Sequence, residues 1–465
     1  MTLYQFDEKL IQAYDKSGPR YTSYPTAVQF NQEFQAQNYI EWAEWSNVQS
    51  RKETTVQPLS LYFHIPFCNT VCFYCGCNKV VTKDRSKAAP YLQRLHKEIE
   101  LQSHWFDTGR PVEQLHWGGG TPTFISHDEM IELMQVTRKY FTLKEDDSGE
   151  YSIEIDPREV SRETLSILRR EGFNRLSLGV QDFDPQVQKA VNRIQPEAMT
   201  FDAIATGRDL GYKSVSVDLI YGLPFQNVDS FAHTIEKVLQ ASPDRISVFN
   251  YAHLPTMFKP QRRINEADLP LPAEKLKILR NTMEQLSQGG YVFIGMDHFA
   301  KPDDEMAIAQ ENGSLYRNFQ GYATHAECDL IAMGITSISK VGNSYSQNVK
   351  TLEEYYPLID SGKLPVYRGI SLSEDDILRR EVITQLICHF KLEFSKIDAA
   401  FGIEFSDYFK TELQELSKMQ DDGLLELSAG AINVLPVGRL LIRNVCMVFD
   451  VYLRNARQQN FSKVI

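Results

Sequence analysis

No stretch of the chain looks like a membrane span: no uncharged apolar run approaches the roughly 18 residues that a bilayer-crossing helix needs. The N-terminal stretch MTLYQFDEKLIQAYDKSG has acidic residues and no apolar core, so it does not read as a secretory signal. Positive charge is in deficit, with 49 Lys and Arg against 61 Asp and Glu, a net charge of −12 and a pI near 5.4. Broad binding of nucleic acid or of an anionic membrane needs a positive face, so neither is expected, and no stable membrane insertion is expected. Low-complexity tracts and internal repeats are lacking too, and 42% hydrophobic with 24% charged residues is an ordinary globular balance. A chain of 465 residues with that balance has room for one large domain and a smaller one. Cysteines are few and unevenly placed: of seven, four (Cys68, Cys72, Cys75, Cys77) crowd together, while Cys328, Cys388 and Cys446 sit in apolar stretches. A disulfide framework would spread them otherwise, so a reducing, cytosolic compartment and a metal site are the expectation.

What is present is a regular alternation from about residue 59 to 252. Apolar, β-branched strand candidates fall at 59–65, 114–118, 151–155, 175–180, 214–221 and 245–251, with amphipathic helical patterns such as DEMIELMQVTRKYF between them. Strand–helix repetition without hairpin turns predicts parallel strands joined by crossover helices. The pattern alone fits a β/α barrel or a doubly wound sheet. The unusual residues favour the barrel, because they gather at or near the C-terminal ends of these strands, where barrel enzymes place their chemistry. The cysteines follow the first, Gly118-Gly119-Gly120-Thr121-Pro122 the second, Glu154 and Asp156 the third, Gln181 the fourth and Asp218 the fifth. Asn250 to His253 close the sixth. The expected fold class is α/β, a partial (β/α)6 barrel. Residues 1–36 read as an N-terminal extension, 37–370 as the barrel with additional elements, and 371–465 as a small, mainly helical C-terminal domain.

The cluster Cys68-x3-Cys72-x2-Cys75-x-Cys77 has enough thiolates on one loop to bind three irons of a four-iron cluster, leaving the fourth iron open. The alternatives are a four-cysteine zinc site or a closed electron-transfer cluster that also uses Cys77. The glycine run lets the backbone approach a ligand and present N–H groups, or is simply a tight strand-to-helix turn. It is not a Walker loop, since no Lys-Ser/Thr follows it. Glu154, Gln181 and Asp218 are either satisfied polar groups at strand ends or ligands for ribose hydroxyls and an amino group. Arg193, in a loop, reads by itself as a surface charge; Tyr62, His64 and His116 read as barrel-interior residues.

LYFHIPFCNTVCFYCGCNK (61–79) resembles the radical S-adenosylmethionine signature, and in particular that of the oxygen-independent coproporphyrinogen III oxidases. The resemblance continues through SGPRYTSYPTA (17–27), QLHWGGGTPT (114–123), IEIDPRE (153–159), RLSLGVQDF (175–183), VDLIYGLP (217–224) and SVFNYAHLP (247–255). FIGMDHFA (293–300), RNFQGY (317–322) and GRLLIRNVCM (438–447) extend it nearly to the end. It implies a radical-SAM barrel in which Cys68, Cys72 and Cys75 hold a [4Fe-4S] cluster. A first S-adenosylmethionine would meet the open iron and touch Tyr62, Gly119, Glu154 and Ile338. The family holds a second S-adenosylmethionine, whose contacts match Tyr74, Gly120, Thr121, Gln181, Arg193, Asp218 and Ala252. Tyr62, Glu154, Cys77 and Gln320 are the catalytic candidates by the same carry-over, and the Arg20-Tyr21-Thr22 region is similar to a segment that closes over the substrate.

The implied substrate is coproporphyrinogen III, with an electron donor as a further partner and a monomeric chain. The implied reaction converts two propionates to vinyl groups through a 5′-deoxyadenosyl radical, because no side-chain acid or base breaks an unactivated C–H bond. Two rivals remain at this level. A haem-handling relative would share the barrel, and a non-catalytic electron carrier or zinc-stabilised module would close the metal site.

Overall fold

The computed structural model describes residues 4–52, 56–325 and 327–455. The chain divides into two compact units. One comprises residues 30–271 and 327–371, the other residues 1–29, 272–326 and 372–465. This division is discontinuous in sequence, unlike the linear boundaries at 36 and 370.

The first unit carries the predicted alternation. Its strands are β1 (Leu59–Ile65), β2 (Pro111–Gly119), β3 (Glu150–Ile155), β4 (Arg175–Gln181), β5 (Ser214–Tyr221), β6 (Arg245–Asn250) and β7 (Asp329–Met333). They lie in the order β6-β5-β4-β3-β2-β1-β7, every neighbouring pair parallel. From β1 to β6 each strand joins on the same side as its predecessor, so there is no reversal of strand order and a doubly wound sheet is excluded. The free side of β1 is taken by β7 rather than by β6, which makes the barrel partial. β8 (Ile338–Val341), β9 (Ser344–Asn348) and β10 (Val366–Ser371) continue beyond β7 as an antiparallel meander.

The local chemistry explains these elements. β1 is buried at six of its seven positions, polar Ser60 and His64 included, the mark of a strand covered on both faces. The covering helices include α1 (Ala88–Ser103), α2 (His127–Tyr140), α3 (Arg162–Arg170), α4 (Glu197–Asp209) and α5 (Val228–Ala241). α2 begins with a reciprocal capping box: the Glu129 N–H donates to Ser126 Oγ (3.3 Å) and the Ser126 N–H to Glu129 Oε2 (2.7 Å). Ser126→Ala is therefore expected to lower stability by about 1 kcal/mol without altering the site, as read by denaturant unfolding. At the opposite end of the strands from the cysteines, Arg110 donates to Asp329 (2.7 Å) in a fully buried pair, which also draws in Ser46 and the Gly342 N–H. This pair ties the start of β7 to the start of β2. Among the described residues no helix is long and apolar enough to cross a membrane.

In the second unit α6 (Glu374–His389) starts at the expected Ser373 cap, whose hydroxyl accepts from the Asp376 N–H at 3.1 Å. The helices that follow are joined by a small antiparallel sheet of β11 (Lys391–Glu393), β12 (Leu425–Leu427) and β13 (Ala431–Val434), with β13 in the middle. Strands of three or four residues are too short to leave an alternation in the sequence. The N-terminal block is anchored within this unit. Tyr21 donates to Asp450 (3.0 Å), Arg443 donates to the carbonyls of Gly18 and Pro19, and Arg20 pairs with Asp297.

Candidate functional site

The cysteine loop leaves β1 at its C-terminal end and is closed at its base. Phe67–Cys68 pairs in parallel with Val80–Val81, with the Val80 N–H on Pro66 O (2.7 Å) and the Thr82 N–H on Cys68 O (2.9 Å). Within the ring the Cys75 N–H turns back to Cys72 O (3.2 Å). Two neighbouring segments hold it from outside. The Phe73 N–H donates to Val191 O (2.9 Å) and Asn192 Nδ2 to Val71 O (2.8 Å), while Gln261 Nε2 donates to Tyr74 O (2.9 Å). Phe73 and Tyr74 pack on a core of Val187, Val191, Leu223, Tyr251 and Ile264. Cys68 is buried, Cys72 and Cys75 are half-buried, and Cys77 is exposed.

Hydrogen-bond donors surround the sulfurs. Thr121 Oγ1 lies 3.6 Å from Cys68 Sγ, and Arg193 Nη1 and Arg158 Nη2 lie 3.6 and 3.7 Å from Cys72 Sγ. Asp156 holds both guanidinium groups, accepting from Arg158 at 2.7 Å and from Arg193 at 3.0 Å. Arg193 is buried rather than at the surface as its loop position predicted, because this carboxylate and the Gly179 carbonyl (2.5 Å) neutralise and bind it. Burial would raise the Asp156 carboxyl, but Arg193 and Arg158 outweigh it and hold it below its ordinary value. Arg158 was not singled out from sequence; its adjacency to Asp156 in IEIDPRE is the available signal. Burial pushes the Cys68 thiol up to about 11, with the Thr121 hydroxyl offsetting part of the rise. Cys75 is lowered chiefly by hydrogen bonding from the Cys77 thiol, with Lys79 adding to it, and Cys77 is raised by the same bond. Among the described residues no three His, Cys, Asp or Glu side chains converge to hold a single metal ion. The donor set is nevertheless that of an iron–sulfur cluster: three thiols on one loop, two of them facing N–H or O–H donors of the kind that stabilise cluster sulfur.

Beside the loop, Glu154 near the end of β3 accepts from the Gly119 N–H (3.2 Å) and contacts His116 Nε2 (3.4 Å), while its side chain keeps 47% of its surface accessible. Burial raises its pKa, but His116 and the Gly119 N–H more than compensate, so it stays ionised and open to a ligand. His116 is itself fixed by Ser152 (2.5 Å) and stacks on Tyr62 at 5.7 Å; Tyr62 O–H meets His64 Nδ1 at 3.2 Å. Asp218 in β5 accepts from Ser177 (3.1 Å), and burial pushes it up to about 6. These interior histidines thus orient the tyrosine and the carboxylate.

The glycine run differs from expectation in one respect. The N–H groups of Gly119, Gly120 and Thr121 are all used within the chain, by Glu154, by Ile65 O (2.9 Å) and by Phe67 O (2.8 Å). The run therefore serves close approach rather than N–H presentation. A Cβ on Gly120 would lie 2.7 Å from the Pro66 and Phe67 backbone, and one on Gly119 (φ +112) 2.7 Å from the His64 ring.

Of the remaining candidates, Gln181 ends β4 in the left-handed region (φ +70) and Ile338 opens β8. Ala252 follows β6, its carbonyl accepting from Gln261 at 3.3 Å. Tyr62, Tyr74, Thr121, Arg193 and Asp218 all belong to this same unit. Gln320 belongs to the other unit, exposed at the turn between Tyr316–Asn318 and Gly321–Ala323. Sequence reading missed Glu98, buried on the apolar face of α1. It accepts from Tyr355 O–H (2.6 Å), the Gly334 N–H (2.8 Å) and Asn348 (2.9 Å), and so fixes the turn that leads into Ile338. On the same helix Tyr91 O–H donates to His64 O (2.6 Å), just ahead of the cysteine loop.

The radical SAM superfamily model matches residues 62–238, and the HemN C-terminal domain model matches residues 372–441. The oxygen-independent coproporphyrinogen III oxidase of Pseudomonas aeruginosa is 53% identical over 461 residues, covering 99% of both chains. The chain belongs to the oxygen-independent coproporphyrinogen III oxidase family. The Escherichia coli member of this family is 50% identical over 99% of the chain. The solved coproporphyrinogen III oxidase (HemN) from Escherichia coli, described as a radical SAM enzyme, superposes with a TM-score of 0.91, covering 97% of this chain and 100% of its own. The radical-SAM fold expected for this oxidase family is thus established, and with it a [4Fe-4S] cluster and S-adenosylmethionine as cofactors.

Proposed function

We propose that this protein carries out the oxygen-independent oxidative decarboxylation of two propionates of coproporphyrinogen III to vinyl groups, giving protoporphyrinogen IX in haem biosynthesis. The observation that carries this reading is the match to coproporphyrinogen III oxidases at 50–53% identity over 99% of the chain. The site geometry supports it. Cys68, Cys72 and Cys75 would hold three irons of the cluster, and Thr121, Arg158 and Arg193 place donors that stabilise sulfur-borne negative charge. When bound, the cluster and S-adenosylmethionine supply a 5′-deoxyadenosyl radical, able to take a hydrogen atom from the propionate β-carbon.

Everything else falls to the chain's own residues. Glu154, kept ionised by His116 and the Gly119 N–H, is a fixed acceptor for a first S-adenosylmethionine, with Tyr62, Gly119 and Ile338 around it. Asp218, Gln181 and Arg193, with Tyr74, Gly120, Thr121 and Ala252, receive a second. Cys77, exposed at the edge of the loop, and Gln320 are the remaining catalytic candidates. We place the protein in the cytoplasm as a monomer; seven free thiols suit a reducing compartment.

The test is anaerobic. Protein reconstituted with iron and sulfide, then reduced, is given S-adenosylmethionine, coproporphyrinogen III and an electron acceptor. Mass spectrometry is expected to find protoporphyrinogen and 5′-deoxyadenosine, both vanishing when S-adenosylmethionine is omitted. Deoxyadenosine without decarboxylation would move the substrate elsewhere.

A further inference from the structure

The proposed reaction needs one electron for each deoxyadenosyl radical, and that electron has to enter the chain from outside. Three segments meet at the cysteine loop: residues 71–83 of the loop itself, 185–196 through Val191 and Asn192, and 251–265 through Gln261. Phe258 lies against Gly76, and the Arg263 guanidinium sits 5.2 Å over the Phe73 ring. None of the three segments contains an Asp or Glu. At the chain's mean density of 61 acidic residues in 465, stretches of that combined length would hold about five. Instead they carry Lys79, Lys83, Lys189, Lys259, Arg262 and Arg263, all exposed except the half-buried Lys79. Of the bordering carboxylates, Asp84 caps the Arg85–Lys87 turn, Asp184 caps the Pro185–Ala190 helix, Glu159 pairs with Arg85, Glu197 with Lys237, and Asp156 with Arg158 and Arg193, while Glu266 is exposed.

Among these cations stand three exposed apolar side chains, Val81 (46%), Ile194 (66%) and Met257 (61%), in a molecule that buries most of its large apolar residues. Exposed apolar residues interspersed with charge of one sign along adjoining segments suit a protein-docking surface. Side chains this exposed do not line a concave site of the kind that encloses a small molecule. A net charge of −12 makes the patch stand out further, since any acidic partner is repelled from the rest of the chain and drawn here.

We propose that the surface of residues 71–83, 185–196 and 251–265 docks an acidic one-electron carrier protein, delivering electrons to the cysteine loop from its outer side. In each encounter the carrier is oxidised by one electron and the cluster reduced by one; no bond forms or breaks between the proteins. The proposal rests on the reading of the loop as a cluster site.

The test uses the reconstituted holoenzyme and a flavodoxin in its hydroquinone form as the acidic carrier. Stopped-flow absorbance follows cluster reduction, and calorimetry follows carrier binding. Lys83→Glu with Lys259→Glu is expected to slow carrier-driven reduction about tenfold at low salt and to weaken binding in step, leaving reduction by dithionite unchanged. Arg262→Glu alone is expected to act in the same direction with a smaller effect. Carrier-driven reduction at the unsubstituted rate would overturn the proposal. So would a raised KM for coproporphyrinogen III with carrier kinetics intact, which would give the surface to the substrate's carboxylates. If dithionite and S-adenosylmethionine gave no deoxyadenosine even in the unsubstituted protein, the cluster reading itself would fail.

Discussion

Replacing any one of Cys68, Cys72 or Cys75 with serine is expected to abolish the iron–sulfur absorbance of the reconstituted protein. Deoxyadenosine release should fall with it by on the order of 10³-fold or more. The loop explains why no neighbour can substitute. It is pinned at its base by the Phe67–Cys68 and Val80–Val81 pairing and held along its length by Val191, Asn192 and Gln261. A thiol elsewhere cannot be swung into a vacated position without breaking those bonds. Cys77→Ser is the necessary companion, since Cys77 is exposed at the end of the loop. Absorbance is expected to survive that change. Absorbance lost in Cys77→Ser and retained in one of the other three would transfer a ligand role to Cys77 and revive the closed four-cysteine site.

The second large effect concerns pH and stability. Glu98 is fully buried, and burial raises its pKa from 4.5 to about 7 against the opposing bonds from Tyr355, Gly334 and Asn348. In the folded state it therefore binds a proton over a range in which the unfolded chain has already released it. A raised folded pKa contributes stability below the unfolded value and loses it as pH climbs through the folded one. Between pH ~4.5 and ~7 the loss from this group amounts to about 3 kcal/mol. Asp182 and Asp218, both pushed up to about 6 by burial, act in the same direction. The Glu98 share is isolated by comparison with Glu98→Gln, which cannot titrate. Unfolding measured from pH 5 to 7.5 is expected to show the wild type losing stability with a clearly steeper slope than the variant. Parallel curves would mean that Glu98 titrates as an ordinary carboxyl.

Much of this protein can be read before any coordinates, and the exceptions share a cause. The six barrel strands are legible because their buried positions are filled by apolar and β-branched residues, nearly continuously in LSLYFHI and at alternate positions in SVSVDLIY. The cysteine spacing is legible because metal chemistry demands particular atoms at short range in the chain. Arg193 is misjudged as a surface charge because its partner Asp156 lies in a different strand–helix unit, and local sequence carries no trace of that pairing. Glu98 escapes notice for the same reason: Gly334, Asn348 and Tyr355, which donate to it, all follow the sixth strand. For the glycine run the sequence leaves open N–H presentation to a ligand and a tight turn, and only the fold reveals that Glu154, Ile65 and Phe67 already occupy the N–H groups of Gly119, Gly120 and Thr121. In each instance a short-range pattern names the residue and a long-range contact decides its role.

The fit between the glycine run and the cysteine loop has a consequence for transplantation. Gly120 rests against the Pro66 and Phe67 backbone, and the N–H groups of Gly120 and Thr121 fasten the loop where it leaves β1. The two segments, about fifty positions apart in the chain, behave as halves of one clasp. An engineer who grafts the cysteine loop onto another barrel, without the glycines of the adjoining strand, would move the ligands and leave their hinge behind. The portable module is the pair.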